Sequence, residues 1–455
     1  MTTTPQSAPA AAPDEHGPGY RAVLLTLILL VSAFAYIDRA IVQTLAQPIK
    51  EDLGLTDFEL GLLGGLSFVI LYSTLGLPIA RLAERKDRVT IISISVAVFS
   101  AMSVLCGLAA NFWQLFLARV GVGIGEAGVQ APSTSLIGDH FPPERRGFAL
   151  TIMRLGAPVG SFFGAILATL LARDYGWRVA LIVIAVPGLI VALLFRLLLR
   201  DPPRGLSDPG RVAPGSTPSS LRAVIGVVFG RPAFRHMLIG LALASMALFA
   251  GGAFTTPFFL RVHGSTLPEA GLYYAIISTS AATAGMSLGG FTIDAIARRG
   301  ERWYALLPFW GIACSVPLYL AGYALDNTVA AVGLITLAGI FLFLFAVPTL
   351  VAFQNMVAPD MRTTAAFIYF FVSTLIGVGF GPPLVGLVSD LFASAALPAG
   401  DFASLCTAPR LEGACAAASA SGVRNALLAS ILLYAWAALH YLLAARAIAR
   451  DMAAR

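Results

Sequence analysis

The chain has 455 residues, 58% of them hydrophobic and only 12% charged, with a formal net charge of +6 and a mean hydropathy of +0.82. Soluble domains carry about a quarter charged residues, so this composition excludes a water-soluble globular protein and makes lipid the solvent. The positive balance does not imply nucleic acid as a partner, because the cations sit in turns between apolar runs rather than in one basic patch.

Residues 1–20, rich in Ala, Pro and Thr, have no basic n-region and no short cleavable apolar stretch; they read as a disordered N-terminal tail rather than a signal peptide. Crossing about 30 Å of hydrocarbon takes roughly 20 apolar residues in a helix. Such runs recur near 22–48, 59–82, 89–109, 112–137, 147–172 and 177–199, which assigns 21–199 to a first six-helix bundle. Residues 200–233 open on a Pro-, Gly- and Ser-rich stretch that breaks helices, and they read as a cytoplasmic linker. Within it, Leu221–Gly230 is too short to span and is expected to lie on the membrane surface. Further runs near 234–261, 269–296, 303–323, 328–356, 363–393 and 423–447 assign 234–455 to a second six-helix bundle. The predicted fold is all-α and integral to the membrane, with twelve transmembrane helices in two bundles.

With the N-terminus in the cytoplasm, twenty-one of the 30 Lys and Arg residues fall on the cytoplasmic side, six on the other side and three within spans. That asymmetry orients membrane helices, so both termini are expected in the cytoplasm, with a bacterial inner membrane as the expected location. An internal echo supports two equivalent halves. Glu84 corresponds to Asp294 and Arg88 to Arg298, both at a spacing of 210 residues, and Glu144 corresponds to Asp360 at a spacing of 216. Repeats of this kind place a binding site between the halves near mid-membrane. Cations alone at such turns would serve topology. The accompanying acids suggest more, and Glu84, Arg85, Arg88, Asp294 and Arg298 are expected to form a cytoplasmic gate that separates when the bundles rock.

Ionisable groups within lipid are costly and are functional candidates by default. Asp38 and Arg39 lie in the first span, Arg119 and Glu126 in the fourth, and Arg154 in the inner half of the fifth. Arg119 and Glu126 are seven residues apart, about two helical turns and 10 Å, so they share a face. Asp38 and Arg119 suit either a site or a pair that only holds helices together. Glu126 is expected to be protonated or to meet a cation from another helix or from substrate. Cys406 and Cys415 share the outer loop before the last span and are the disulfide candidate, whereas Cys106 and Cys314 lie in apolar runs and read as packing residues. Phe367, Tyr369, Phe370 and Phe371 are candidates to receive an acyl chain. No nucleophile, zinc, P-loop or nucleotide constellation appears, so no enzyme, metal or cofactor is expected.

These motifs resemble those of the major facilitator superfamily over nearly the whole chain. Ala80-Arg-Leu-Ala-Glu-Arg-Lys-Asp-Arg88 is similar to its cytoplasmic signature, with Glu84 for the usual Asp and Asp87 for the usual Gly. Arg119 through Ala127 resembles the fourth-span signature with Val122 where Gln is common, and Gly156-Ala-Pro-Val-Gly160 partly resembles the antiporter signature. Tyr36-Ile-Asp-Arg39, Gly123-Ile-Gly-Glu-Ala127 and the Pro132-Ser-Thr block resemble the Spinster subgroup, linked to sphingosine 1-phosphate and lysophospholipids. The resemblance implies the major facilitator fold and alternating access, with Arg39 and Glu126 lining a central cavity beside Asp38 and Arg119. The expected function is secondary transport of an amphiphilic anion by a monomer, with protons as the coupling ion. Alternatives are an organic-anion or multidrug carrier of the same fold and a lipid-binding receptor without transport.

Overall fold

A computed structural model describes residues 17–203, 221–358, 361–397, 402–406 and 412–453. Among these the regular structure is helical. The first half holds α1 (Pro18–Thr44), α2 (Ala46–Leu53), α3 (Asp57–Gly64), α4 (Leu66–Arg85), α5 (Arg88–Gly107), α6 (Phe112–Ala127), α7 (Gln130–His140) and α8 (Pro143–Leu198). The second holds α9 (Leu221–Gly230), α10 (Pro232–His263), α11 (Leu267–Ile296), α12 (Trp303–Ala324), α13 (Thr328–Phe343), α14 (Ala346–Asn355), α15 (Arg362–Val372), α16 (Gly379–Ala395), α17 (Phe402–Leu405) and α18 (Gly413–Ala453).

Ten helical segments among the described residues are long and apolar enough to cross a membrane. They accommodate the twelve predicted runs for two physical reasons. Arg145–Leu198 covers 54 residues, far longer than about 30 Å of hydrocarbon requires; at Gly176 the backbone takes φ 82° and ψ 162°, so two crossings meet at that glycine, which alone tolerates the left-handed region cheaply. The fourth predicted run is divided, α6 ending at Ala127 and α7 starting at Gln130, and it carries Arg119 and Glu126 within it, which make it less apolar. Helix α1 begins at Pro18, which makes the last residues of the predicted tail helical; residues 1–16 and 204–220 of the predicted tail and linker lie outside the described residues. In α9 the buried Val224 and Val228 face the second bundle while Ile225 and Phe229 are exposed.

Polar starts anchor the helices at the loops, where the first backbone N–H groups lack intrahelical partners. Thr56 and Glu59 form a capping box on α3, as Thr266 and Glu269 do on α11. Asn111 caps α6 and Asn327 caps α13. Two large apolar cores result. Leu24, Ile28, Val31, Ile92, Val96 and Leu181 belong to one, and Met237, Leu241, Ala338, Leu427 and Tyr441 to the other. A smaller seam of Ala40, Ala165, Tyr274 and Ala275 lies where α1 and α8 meet α11.

Candidate functional site

Two ion pairs link α1 to α6 inside the first bundle. Arg39 donates from Nε to Glu126 Oε2 at 2.8 Å and from Nη2 to the same oxygen at 2.5 Å. The Arg119 guanidinium donates to Asp38 Oδ2 at 2.6 Å, and Ser103 Oγ donates to Asp38 Oδ1. The pairing follows from helix geometry: adjacent residues on α1 point about 100° apart, so Asp38 and Arg39 reach different partners on α6. Glu126 therefore meets a cation from another helix, and Asp38 meets Arg119. The arrangement is tight because α6 passes close to its neighbours; a Cβ on Gly123 would sit 2.1 Å from the Phe68 carbonyl oxygen.

The two pairs differ in their surroundings. Arg119 and Asp38 are both buried, at 3% and 7% side-chain exposure, whereas the Arg39 side chain keeps 29% exposure against 1% for Glu126. Rings of Tyr36, Phe68 and Tyr72 surround the Arg39 guanidinium at 5.1, 4.7 and 5.0 Å from their centroids. Such rings favour a cation through their quadrupoles. The second carboxylate oxygen of Glu126 has no hydrogen-bond partner among the described residues. Arg39 is thus a guanidinium reachable from outside the bundle, restrained by one acid and three aromatic faces.

The predicted gate residues are not brought together. Glu84, Arg85, Asp294 and Arg298 are exposed. Arg88 is fully buried within the first bundle: it donates to Asp139, from Nε to Asp201 Oδ1 at 2.6 Å, to Ser135 Oγ at 2.9 Å and to the Pro202 carbonyl at 3.1 Å. It fastens α5 to the end of α7 and the segment after α8. Tyr369 is a buried packing residue whose hydroxyl donates to the Ala346 carbonyl at 3.1 Å, whereas Phe370 is exposed. Cys406 and Cys415 are joined by a disulfide with Cα atoms 5.6 Å apart.

A second polar cluster, which the sequence reading did not assemble, ties the two bundles together. Arg261 of α10 makes a bidentate contact with Asp57 of α3 at 2.7 and 2.8 Å and donates to Gln47 at 2.7 Å. Lys50 Nζ lies 2.5 Å from Asp57, and Ser389 Oγ donates to it at 2.7 Å. Asp390 of α16 accepts from the backbone N–H groups of Asp57 and Phe58 at 3.0 and 2.9 Å, so one bundle supplies a carboxylate to a helix start of the other. Such a carboxylate satisfies orphan donors and suits the positive end of the helix dipole. Tyr274 donates to Gln43 near the same seam. Asp390 carried a readable signal, an acid inside the predicted 363–393 span.

The Major Facilitator Superfamily model matches residues 28–382. The chain belongs to that superfamily. It is a multi-pass integral membrane transporter of the Spinster type, similar over its length to a bacterial homolog of the human lysosomal transporter Spinster, crystallised in an inward-facing and unoccupied conformation. That structure shares a TM-score of 0.85 and 32% identity, covering 96% of this chain and 99% of its own. An MFS-type efflux pump of Mycolicibacterium smegmatis is 28% identical over 84% of this chain and 89% of its own length. Human protein spinster homolog 1 is 26% identical over 83% of this chain and 76% of its own. These relatives are transporters rather than enzymes.

Proposed function

We propose that this transporter moves an amphiphilic anion, of lysolipid or sphingoid-phosphate type, by alternating access coupled to protons, acting as a monomer without a cofactor. The observation that carries this reading is the Arg39–Glu126 pair: a partly exposed guanidinium whose Nε and Nη2 both contact one buried carboxylate oxygen. A phosphate or carboxylate head group matches a guanidinium fork and competes with Glu126 for it. A carboxylate released from its cation is in a different electrostatic environment, so substrate binding and protonation become linked. The positive-inside asymmetry supports a bacterial inner membrane with both termini in the cytoplasm. In that orientation the Lys50–Asp57–Arg261–Asp390 cluster closes the outer side, and Glu84, Arg85, Arg88, Asp294 and Arg298 lie on the cytoplasmic side, where the exposed members meet partners when that side closes. The resemblance to the inward-facing Spinster homolog supports the same assignment.

The test is flux in proteoliposomes loaded at pH values between about 5 and 8, a range bracketing a perturbed carboxylate, with lysophospholipids set against small carboxylates. Glu126→Gln is expected to abolish the pH dependence and slow cycling, and Arg39→Ala to weaken binding of anionic lipids. Parent-like transport by both variants across that range would refute the coupling role. Preference for small carboxylates, or for drugs as the similarity to an efflux pump suggests, would replace the lipid reading with that of an organic-anion or multidrug carrier.

A further inference from the structure

Arg39 and Arg119 each have an acid of their own, whereas Arg154, the third arginine within the predicted spans, is exposed and makes no ion pair among the described residues. Its position on α8 shows where it points. Ala165 is fully buried in the seam with Ala40, Tyr274 and Ala275. Arg154 lies eleven residues earlier, about three turns and 16 Å away on nearly the same helical stripe. The stripe that touches the other bundle at Ala165 therefore carries Arg154 at a level where the side chain is uncovered. Tyr36, whose ring centroid lies 5.1 Å from the Arg39 guanidinium, is also within electrostatic reach of Arg154. An arginine within a membrane protein faces a partner or a hydrated cavity because lipid exposure is costly; with no ion-pair partner among the described residues, the stripe it shares with Ala165 points it at the cleft between the bundles.

We infer that Arg154 is the first anion contact of the cleft, receiving a head group before Arg39 exchanges Glu126 for it. This rests on the anion reading above. An anion at Arg39 must displace a carboxylate held through Nε and Nη2, whereas binding at Arg154 displaces only water. Arg154 therefore raises the local anion concentration and orients the head group toward Tyr36, and Arg39 completes the binding.

Dodecyl phosphate and uncharged dodecanol are the probes, titrated into the full-length transporter in nanodiscs, with association followed by stopped-flow fluorescence. The parent is expected to prefer the phosphate. Arg154→Gln is expected to weaken phosphate binding about 10-fold, the scale of one lost charge-assisted contact, mainly through slower association, with dodecanol unaffected. Arg154→Lys, which keeps the charge, is expected to restore most of the association rate. In a Glu126→Gln background, where Arg39 no longer needs release, the penalty for Arg154→Gln is expected to shrink. If Arg154→Gln binds the phosphate as fast and as tightly as the parent, Arg154 is not the first contact while the anion reading stands. If the parent itself shows no preference for the phosphate, the anion reading and this inference fail together.

Discussion

The two ends of the bundle pair are built from similar residue types but hold their charges differently. At the end carrying Lys50 and Arg261, two cations and two acids converge from both bundles, and Asp57, Lys50 and Arg261 are nearly withdrawn from solvent. At the end carrying Glu84 and Asp294, the charges of the repeated turns stay exposed, while Arg88 is consumed inside the first bundle by Asp139 and Asp201. The comparison teaches that similar charged residues join the bundles only where both bring them together; elsewhere they form a solvated loop or an internal brace.

The sharpest way to break the comparison is Asp57→Ala, which leaves Lys50 and Arg261 facing each other without their shared acid. Removing one partner of a buried pair costs about 3–5 kcal/mol. The joined end is expected to open, visible as faster labelling of cysteines placed around it, with a lower thermal midpoint. Unchanged labelling would show that apolar packing alone holds that end. Next in size is Gly386→Ala. Its new Cβ would stand 2.1 Å from the Asp57 carbonyl oxygen, and overpacking of this kind costs about 1–3 kcal/mol. Spin labels on α3 and α16 are expected to move apart without loss of the Arg39–Glu126 pair; an unaltered distance distribution would mean that the seam relaxes around the methyl group.

The smallest expected effect is at the other end. Glu84 is exposed here, so Glu84→Gln costs this state little and removes a partner only from the state in which that end closes. Exposed ion pairs are worth about 0–1 kcal/mol, so the population is expected to shift toward the present arrangement by about 2- to 5-fold. Distance measurements across the Glu84 and Asp294 turns would check it, and a shift in the opposite direction would remove Glu84 from the gate.

The fold was largely legible because lipid imposes long apolar runs that composition alone exposes. The exceptions are local backbone events: the non-helical backbone at Gly176 marks where two crossings meet end to end, and the break between Ala127 and Gln130 divides another run. Arg39, Glu126, Asp38 and Arg119 were legible because a charge in the middle of an apolar run stands out. Lys50, Asp57 and Arg261 were not, since charges at helix ends are ordinary and the pairing of Asp57 with Arg261 joins residues 204 apart. The repeat spacing equated Arg88 with Arg298, yet Asp201, after the sixth run, draws Arg88 inside the bundle while Arg298 remains exposed. Sequence symmetry gave the position but not the partner.

The cluster joining the bundles contains Lys50 and Arg261 against Asp57 and Asp390, two formally positive and two formally negative side chains. Each elementary charge moved across a membrane feels about 2.3 kcal/mol per 100 mV, but the cluster as a whole carries no net charge. Its opening is therefore nearly blind to membrane voltage, and whatever current accompanies a transport cycle originates with the cargo, any coupled ion and charges elsewhere in the chain.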